Sequence, residues 1–525
     1  MQTSLTHSCI DAYWQYLEQT GATLGLESLP RLAADLEVIA WEEPESAIDL
    51  NNFAVLMLIE AEQCADLEMR AMHLELALEA LQNGSQHQIS HPLCIAHLAL
   101  VQCMIGETQA AIATALPTFL NLQQVACTSA EPQLGLVYLP PSKTEIWHQR
   151  LQYLLQAENG WVQAMQLLTE VLCQAQLVFY NSSGMRFLHL AQQFTPNSAE
   201  LHLKLGISNL MCGNWEGLFN LQEARKLAPN YAPTVQALYL AYRTLKDLES
   251  ADFWLQSARQ KPQSLEWRWA SLESTSSFTY LPFNDLPLAV EPSLRSIVTL
   301  VLLAEGDWFE AEMEFWRQQI QPGMTVLDVG ANVGVYTFSA AQQVGSTGRV
   351  LAVEPFSGCV QCLQESRRIN QMDWITICAG AASDRTGTAR LSLHTASELN
   401  EIVMDAAADR DSEEVACFTL DSLIEQHNIS QVDWLKIDAE GHEIPVLEGS
   451  IRLIEQFAPG ILYENIAGSK GSNLPVAEWL LAKDYRLFRF QPYLQNLIPV
   501  DSLDEMQGSL NIIALPANHF LLQGS

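Results

Sequence analysis

The hydrophobic period of this chain changes once, and the change divides it. From Met1 to about Gln263 apolar residues recur at i, i+3, i+4 and i+7, with almost no alternation of period two. That spacing gathers apolar side chains on one face of an α-helix. After Gln321-Pro322-Gly323 short apolar strands alternate with helical patterns. Such alternation implies a parallel, doubly wound α/β sheet with helices on both faces. A chain of 525 residues also needs more than one core. We expect a helical domain over 1–263, a linker over 264–292 and an α/β domain over 293–525.

A phrase repeats within the helical half. Ala199–Pro229 contains Leu201, Leu205-Gly206, Gly213-Asn214-Trp215 and Ala224, and ends at Pro229. Ala232–Arg259 follows with Val235, Leu238, Tyr242, Ala251, Leu255 and Ala258. Weaker echoes stand at Gly106-Glu107 with Ala110-Ala111 and at Gly160-Trp161 with Ala164. The pattern resembles the tetratricopeptide repeat, which places small residues where two paired helices approach closely. The copies are degenerate: Leu218 stands where a small residue is expected, and the second copy lacks the Leu-Gly pair. Such units cannot bury their faces singly, so they predict an all-α solenoid. Its concave face would take a partner protein or peptide; the other reading is a structural extension that only supports or dimerises the rest of the chain. Pro140-Pro141 and Ser264–Pro292 look like breaks.

Charge removes some partners. The net charge is -34, from 27 basic and 61 acidic residues, without a basic cluster. Nucleic acid and anionic membrane surfaces are therefore disfavoured. The longest apolar run, near Ile297–Ala304, is too short to span a bilayer. Met1–Cys9 lacks the marks of a secretory signal. Eleven cysteines form no paired framework, which suits a reducing, cytoplasmic setting. Cys359 and Cys362 make a lone C-x-x-C, read here as two small residues on a helix.

The chemistry concentrates at strand ends. Val326–Val329 runs into Gly330-Ala331-Asn332-Val333-Gly334, followed by a helix over 335–344. Arg349–Val353 ends at Glu354-Pro355, and Val432–Ile437 leads to Asp438-Ala439-Glu440-Gly441-His442. A helix from there to about Gln456 precedes the strand Gly460–Tyr463, which ends at Glu464-Asn465. Ligands of doubly wound sheets sit beyond such ends, where the strand order reverses. A dinucleotide site would show G-x-G-x-x-G. Here Asn332 holds the second glycine's place, and Asp328 would repel a pyrophosphate. An acid there suits the ammonium and sulfonium of S-adenosylmethionine, and Glu354 is placed to accept ribose hydroxyls.

These residues carry a resemblance. Asp328–Thr337, Val353-Glu354-Pro355 and Leu435-Lys436-Ile437-Asp438-Ala439-Glu440-Gly441-His442-Glu443 together resemble the FkbM methyltransferase family, over roughly Glu305 to Leu515. Ala439 departs mildly from the family's usual Val or Thr. The resemblance implies a class I, Rossmann-like domain that methylates hydroxyls of sugars, glycans or natural products. It implies a cofactor site of Asp328, Gly330, Asn332, Gly334, Tyr336, Thr337 and Glu354, with Asp384 reaching the adenine or belonging to the turn Asp384–Gly387. Gly306-Asp307-Trp308-Phe309-Glu310 looks like the family's lead-in, here a lid or simple packing. His442 is the expected general base, or else caps the next helix. Asp438 and Glu440 flank the chemistry, and Lys436, buried on its strand, is expected to pair with one of them. Asp438, Glu464 and Asn465 could hold Mg²⁺ through hard oxygens, or hydrogen-bond the substrate. The competing readings are an interaction protein that has lost turnover and an NAD-dependent oxidoreductase. The acceptor stays open, with the loops Thr395–Glu414 and Ala467–Asn473 unassigned.

Overall fold

Helices in the first half begin where the sequence supplies a cap. Ser46, Asp66, Asn159 and Asn181 each accept a backbone N–H from the first turn. Each bond satisfies a donor that helix geometry leaves free. The computed structural model describes residues 12–18, 46–87, 91–125, 132–141, 145–176, 178–394, 397–403, 412–466 and 471–522. Met1–Cys9 and parts of the loops Thr395–Glu414 and Ala467–Asn473 lie outside them. The chain divides into two compact units, Met1–Leu205 and Gly206–Ser525.

In the first unit a helical segment over 12–18 is followed by the helices Ala47–Gln63, Leu67–Gln86, Pro92–Met104, Thr108–Val125, Glu145–Leu155, Gly160–Ala175 and Ser182–Phe194. Leu56, Leu58, Leu93, Leu100, Leu167 and Val171 are buried between them. Residues 132–141 form neither helix nor strand and run extended.

Helical hairpins stand at the repeated phrases, the first of them opening in the helix Ala199–Met211, which the boundary between the units crosses. Gly213, at φ 77°, turns Ala199–Met211 into Gly217–Leu227. Lys246, at φ 59°, turns Ala232–Thr244 into Leu248–Arg259. A Cβ on Gly206 would lie 2.6 Å from Leu221 Cδ2, and one on Gly217 would lie 2.3 Å from the Gly206 carbonyl oxygen. The small residue missing at Leu218 is thus supplied one position earlier, by Gly217.

The stretch 264–292, expected as a linker, lies within the second unit and carries regular structure. It holds a 3-10 helix, Leu265–Ala270, and an antiparallel ribbon of β1 (Thr279–Phe283) and β2 (Leu286–Val290). Gln236 Nε2 donates to the Tyr280 carbonyl at 2.6 Å, and Ala289 N donates to Ser366 Oγ at 2.8 Å.

The main sheet comprises β3 (Thr325–Val329), β4 (Arg349–Glu354), β5 (Ile375–Ala379), β10 (Trp434–Ile437), β11 (Gly460–Glu464), β12 (Tyr485–Gln491), β13 (Asn496–Pro499) and β14 (Asn511–Pro516). Its order is β13-β12-β14-β11-β10-β3-β4-β5. From β11 to β5 neighbours are parallel, as expected; β14, β12 and β13 join antiparallel, so the sheet is mixed. β6 (Ala381–Ala382), β7 (Gly387–Ser392), β8 (Glu401–Val403) and β9 (Ser412–Phe418) make a second sheet ordered β6-β9-β7-β8. The helix expected to reach Gln456 is two, Glu443–Glu448 and Ile451–Phe457. They break at Gly449, where a Cβ would lie 2.0 Å from the Ser383 carbonyl oxygen. Cys359 and Cys362 are buried free thiols on the helix Ser357–Ile369. Among the described residues no helix is long and apolar enough to cross a membrane.

Burial lowers the pKa of His97, in the first unit, from 6.5 to about 3. Below 6.5 the unfolded chain takes up a proton that the folded ring refuses. The unit's stability is therefore expected to be undiminished by this group above pH 6.5. It should fall as pH drops toward 3, by up to about 1.4 kcal/mol per pH unit. Urea midpoints at pH 7 and pH 5, in the native chain and in His97→Gln, measure it; equal pH slopes in the two proteins contradict the assignment.

Candidate active site

The strand order breaks between β3 and β10. The chain leaving β3 returns to β4 on one side, and the chain leaving β10 returns to β11 on the other, which opens a crevice at their carboxyl ends. The parallel register sets Lys436 beside Asp328 and Ile437 beside Val329.

The glycine loop shapes the floor. Gly330 and Gly334 have φ 76° and 101°. A Cβ on Gly330 would lie 1.6 Å from the Asp438 carbonyl oxygen, so only glycine lets the two loops pass. Gly330 N and Ala331 N donate to the Val353 carbonyl at 3.0 and 3.1 Å. Asn332 sits at φ 50°, and its N–H donates to Glu354 Oε2 at 2.8 Å. Phe356 N donates to Glu354 Oε1 at 2.7 Å. Burial pushes the Glu354 carboxyl up to about 7, although both amides pull the other way.

Asp328 is fully buried. Thr337 Oγ1 donates to its Oδ2 at 2.6 Å, while Oδ1 has no partner among the described residues. Burial raises its pKa against the pull of Lys436 and Thr337. Lys436 is also buried, as its strand position implied, and its Nζ donates to Asp438 Oδ2 at 2.7 Å. Burial lowers its pKa, but Asp438, Asp328 and Glu310 outweigh that and raise it, so the ammonium stays charged. The same Nζ lies 4.6 Å from the centre of the Tyr336 ring. Tyr336 and Thr337 therefore brace the walls and are not free groups.

Sequence reasoning missed Glu310 and Glu312. Gly306, at φ 72°, ends the helix Ile297–Glu305, and the Arg317 guanidinium grips Asp307 at 2.6 and 2.7 Å. The lead-in thus forms a tied wall, and Glu310 reaches from it. Its Oε2 accepts from Tyr336 Oη at 2.5 Å and from Asn511 Nδ2 at 3.0 Å. Burial, reinforced by Glu310, pushes Glu312 up to about 7. The signal available was the phrase Gly306–Glu310 itself, read for its aromatics and not its acid.

Asp438, Glu440 and Glu464 bring one carboxylate oxygen each within 4.8 Å of one another. Glu464 Oε2 has no partner among the described residues. Burial and the neighbouring Asp438, Glu440 and Glu443 push the Glu464 pKa far up. Asn465 does not join them, which corrects the expected ligand set. It is buried, its amide donates to the Met506 and Ser509 carbonyls, and its oxygen accepts from Asn473 N. Glu440 stands where Asn465 was expected. Glu443 Oε1 accepts from Ala439 N and Gly441 N and fixes the loop.

His442 is the cap residue of the helix Glu443–Glu448, its carbonyl accepting from Val446 N at 3.2 Å, but its side chain makes no cap bond. Its Nε2 lies 3.0 Å from Ser383 Oγ, which also reaches Asp384 Oδ1 at 3.0 Å. Burial lowers its pKa. Asp384 itself is exposed in the turn before β7, 3.5 Å from Arg385 Nη1.

Residues 328–487 match the family described as the methyltransferase FkbM domain. This segment is a methyltransferase FkbM domain. Among solved structures, an FkbM methyltransferase from Methylobacillus flagellatus is similar at 17% identity and TM-score 0.26, over 43% of this chain and 54% of its own. The chain thus spans about half the length of that relative. An O-methyltransferase from Bacillus cereus, in complex with SAH, stands at 17% and 0.24, over 39% and 80%. A SAM-dependent methyltransferase from Aquifex aeolicus stands at 13% and 0.23, over 39% and 88%. At these values none of the three speaks to what this chain binds. No curated protein matches the chain.

Among the described glycines Gly330 has the closest approach to another main chain. Gly330→Ala is expected to lower unfolding stability by at least ~2 kcal/mol, from positive φ and the carbonyl clash together. Chemical denaturation of the full chain measures it, and a change below ~0.5 kcal/mol would show that the crossing relaxes freely.

Proposed function

We propose that the FkbM domain uses S-adenosylmethionine to methylate a hydroxyl of a sugar, glycan or natural product. The helical half would serve as its recognition element. The observation that carries this is the charge of the crevice. Asp328, Glu310, Asp438, Glu440 and Glu464 gather at the strand ends, and Lys436 is the cation among them. A buried Asp328 oxygen without a donor asks for one from a ligand. A pyrophosphate offers only acceptors; an ammonium beside a sulfonium fits.

The donor set therefore suits the cofactor. Asp328 would hold the ammonium, Glu354 the ribose hydroxyls and Asp384 the adenine edge, with Gly330–Gly334 as the cradle. The bound cofactor supplies an electrophilic methyl group. His442, kept neutral at pH 7 by burial, would accept the proton of the acceptor hydroxyl. Lys436 would hold Asp438 in position through its 2.7 Å bond. Much of the remaining catalysis is alignment. Mg²⁺ enters this reading at Asp438, Glu440 and Glu464, whose close oxygens and unpartnered Glu464 Oε2 favour a hard cation.

Calorimetric titration of the full chain is expected to give heat with S-adenosylmethionine and none with NAD. Silence with S-adenosylmethionine would sink the proposal. In a methyl-transfer assay with labelled cofactor and cell extract, His442→Ala should keep cofactor affinity yet lower turnover at least ~100-fold. Unchanged turnover would remove His442 as base. Dialysis against EDTA in the same assay should lower turnover and added MgCl2 restore it; full turnover without metal would remove Mg²⁺ from the reading.

A further inference from the structure

The first unit buries polar side chains that a helical core does not need. Tyr13, Tyr16, Asn51, Asn52, His97 and Gln163 all have relative exposures of 5% or less. Such groups are costly inside a protein unless hydrogen-bonded. All of them are answered by one stretch of extended chain, residues 132–141.

The bonding runs along the main chain of that stretch. Gln163 takes both groups of Gly135: its Oε1 accepts from Gly135 N at 3.1 Å and its Nε2 donates to the Gly135 carbonyl at 3.0 Å. Leu136 N donates to Asn52 Oδ1 at 2.8 Å, and Asn51 Nδ2 donates to the Leu136 carbonyl at 3.0 Å. The Tyr13 hydroxyl meets both groups of Val137, and the Tyr16 hydroxyl both groups of Leu139. Tyr138 N donates to His97 Nε2 at 3.1 Å. That fixes the His97 tautomer, since its Nδ1 then donates to Asn51 Oδ1 at 2.8 Å. Residues 135 to 139 are buried, and both ends of the stretch carry proline, at Pro132 and at Pro140-Pro141.

A strand in a sheet draws such bonds from a neighbouring strand. Here they come from side-chain tips on separate helical segments. Reading the main chain by fixed polar groups, with pockets for alternate side chains, is how proteins hold extended peptides. The pockets are specific. A Cβ on Gly135 would lie 2.6 Å from Ile48 Cδ1 and 2.8 Å from Leu93 Cδ1, so the site selects glycine there. Tyr138 Oη donates to Glu62 Oε1 at 2.6 Å, so it selects a hydroxylated aromatic three residues on. At Gly160 a Cβ would lie 2.4 Å from the Gln133 carbonyl oxygen, so the groove wall is glycine where the chain enters.

We propose that this groove is a binding site for an extended peptide, and that residues 132–141 are its intramolecular occupant. The partner it fits is a segment of another protein with glycine, aliphatic residues and a tyrosine in this register. It binds by displacing the chain's own copy. The proposal gives the helical half's recognition role a site; its failure leaves the methyl-transfer reading untouched.

The test uses the full chain with residues 132–141 replaced by ten Gly and Ser residues, and a fluorescein-labelled synthetic peptide of 132–141 as probe. By fluorescence anisotropy the probe is expected to bind this variant at least ~100-fold more tightly than the native chain, which carries its own competitor. Adding Asn51→Leu to the variant should weaken binding at least ~10-fold. A folded variant, with native circular dichroism, that does not bind the probe overturns the proposal. Should the variant not fold, hydrogen exchange on the native chain decides. Amides of 135–139 are expected to exchange at least ~100-fold faster than those buried in Ala47–Gln63 and Gly160–Ala175. Equal protection would make the stretch a permanent part of the core and would overturn the proposal.

Discussion

The ammonium of Lys436 is the charge on which the crevice depends. It is buried among Asp328, Asp438 and Glu310 and touches the face of Tyr336. Carboxylates gathered in low dielectric repel one another and lose ionisation unless a cation stands among them. Lys436 supplies that cation from the middle of β10, where the register places it beside Asp328. It thereby joins three parts of the chain that are far apart in sequence: the lead-in, the glycine loop and the loop after β10. Burial pushes Glu310, Asp328 and Glu464 toward the neutral form, and a cationic ligand beside them would draw them back toward the ionised one.

Backbone proximity is the second constraint, and glycine meets it. Gly330 lets the β3 loop pass the Asp438 carbonyl, and Gly449 lets the helix break against the Ser383 carbonyl. Gly206 and Gly217 do the same for a helical hairpin. Each lies where another main chain comes within reach, so each fixes a relation between elements and not only a local turn.

Much of this was legible in the sequence because periodicity and strand-end polarity are local. The helix Val335–Val344 and the strands around the glycine loop fall where the pattern put them. The ribbon of β1 and β2 was not legible, since Pro282 and Pro287 argue against strands. They face each other in the register of a two-stranded ribbon, which leaves free edges for both. The antiparallel strands β12–β14 escaped because direction leaves no mark on hydrophobic period. Asn465 was read as a ligand because a polar residue at a strand end looks alike whether it faces the crevice or the Met506 carbonyl. Glu310 and Ser383 were passed over because their roles come from partners on distant segments.

The hydroxyl bonds of Tyr13 and Tyr16 to residues 137 and 139 span 124 and 123 positions. During vectorial synthesis the segment over 12–18 emerges long before the chain that completes those bonds. At typical elongation rates of about 5–20 residues per second, it waits roughly 6–25 s for them. Over that interval its buried tyrosines are exposed to water, chaperones and neighbouring chains. The first unit's closure is therefore timed by the ribosome, and slower translation between these positions lengthens the exposure in proportion.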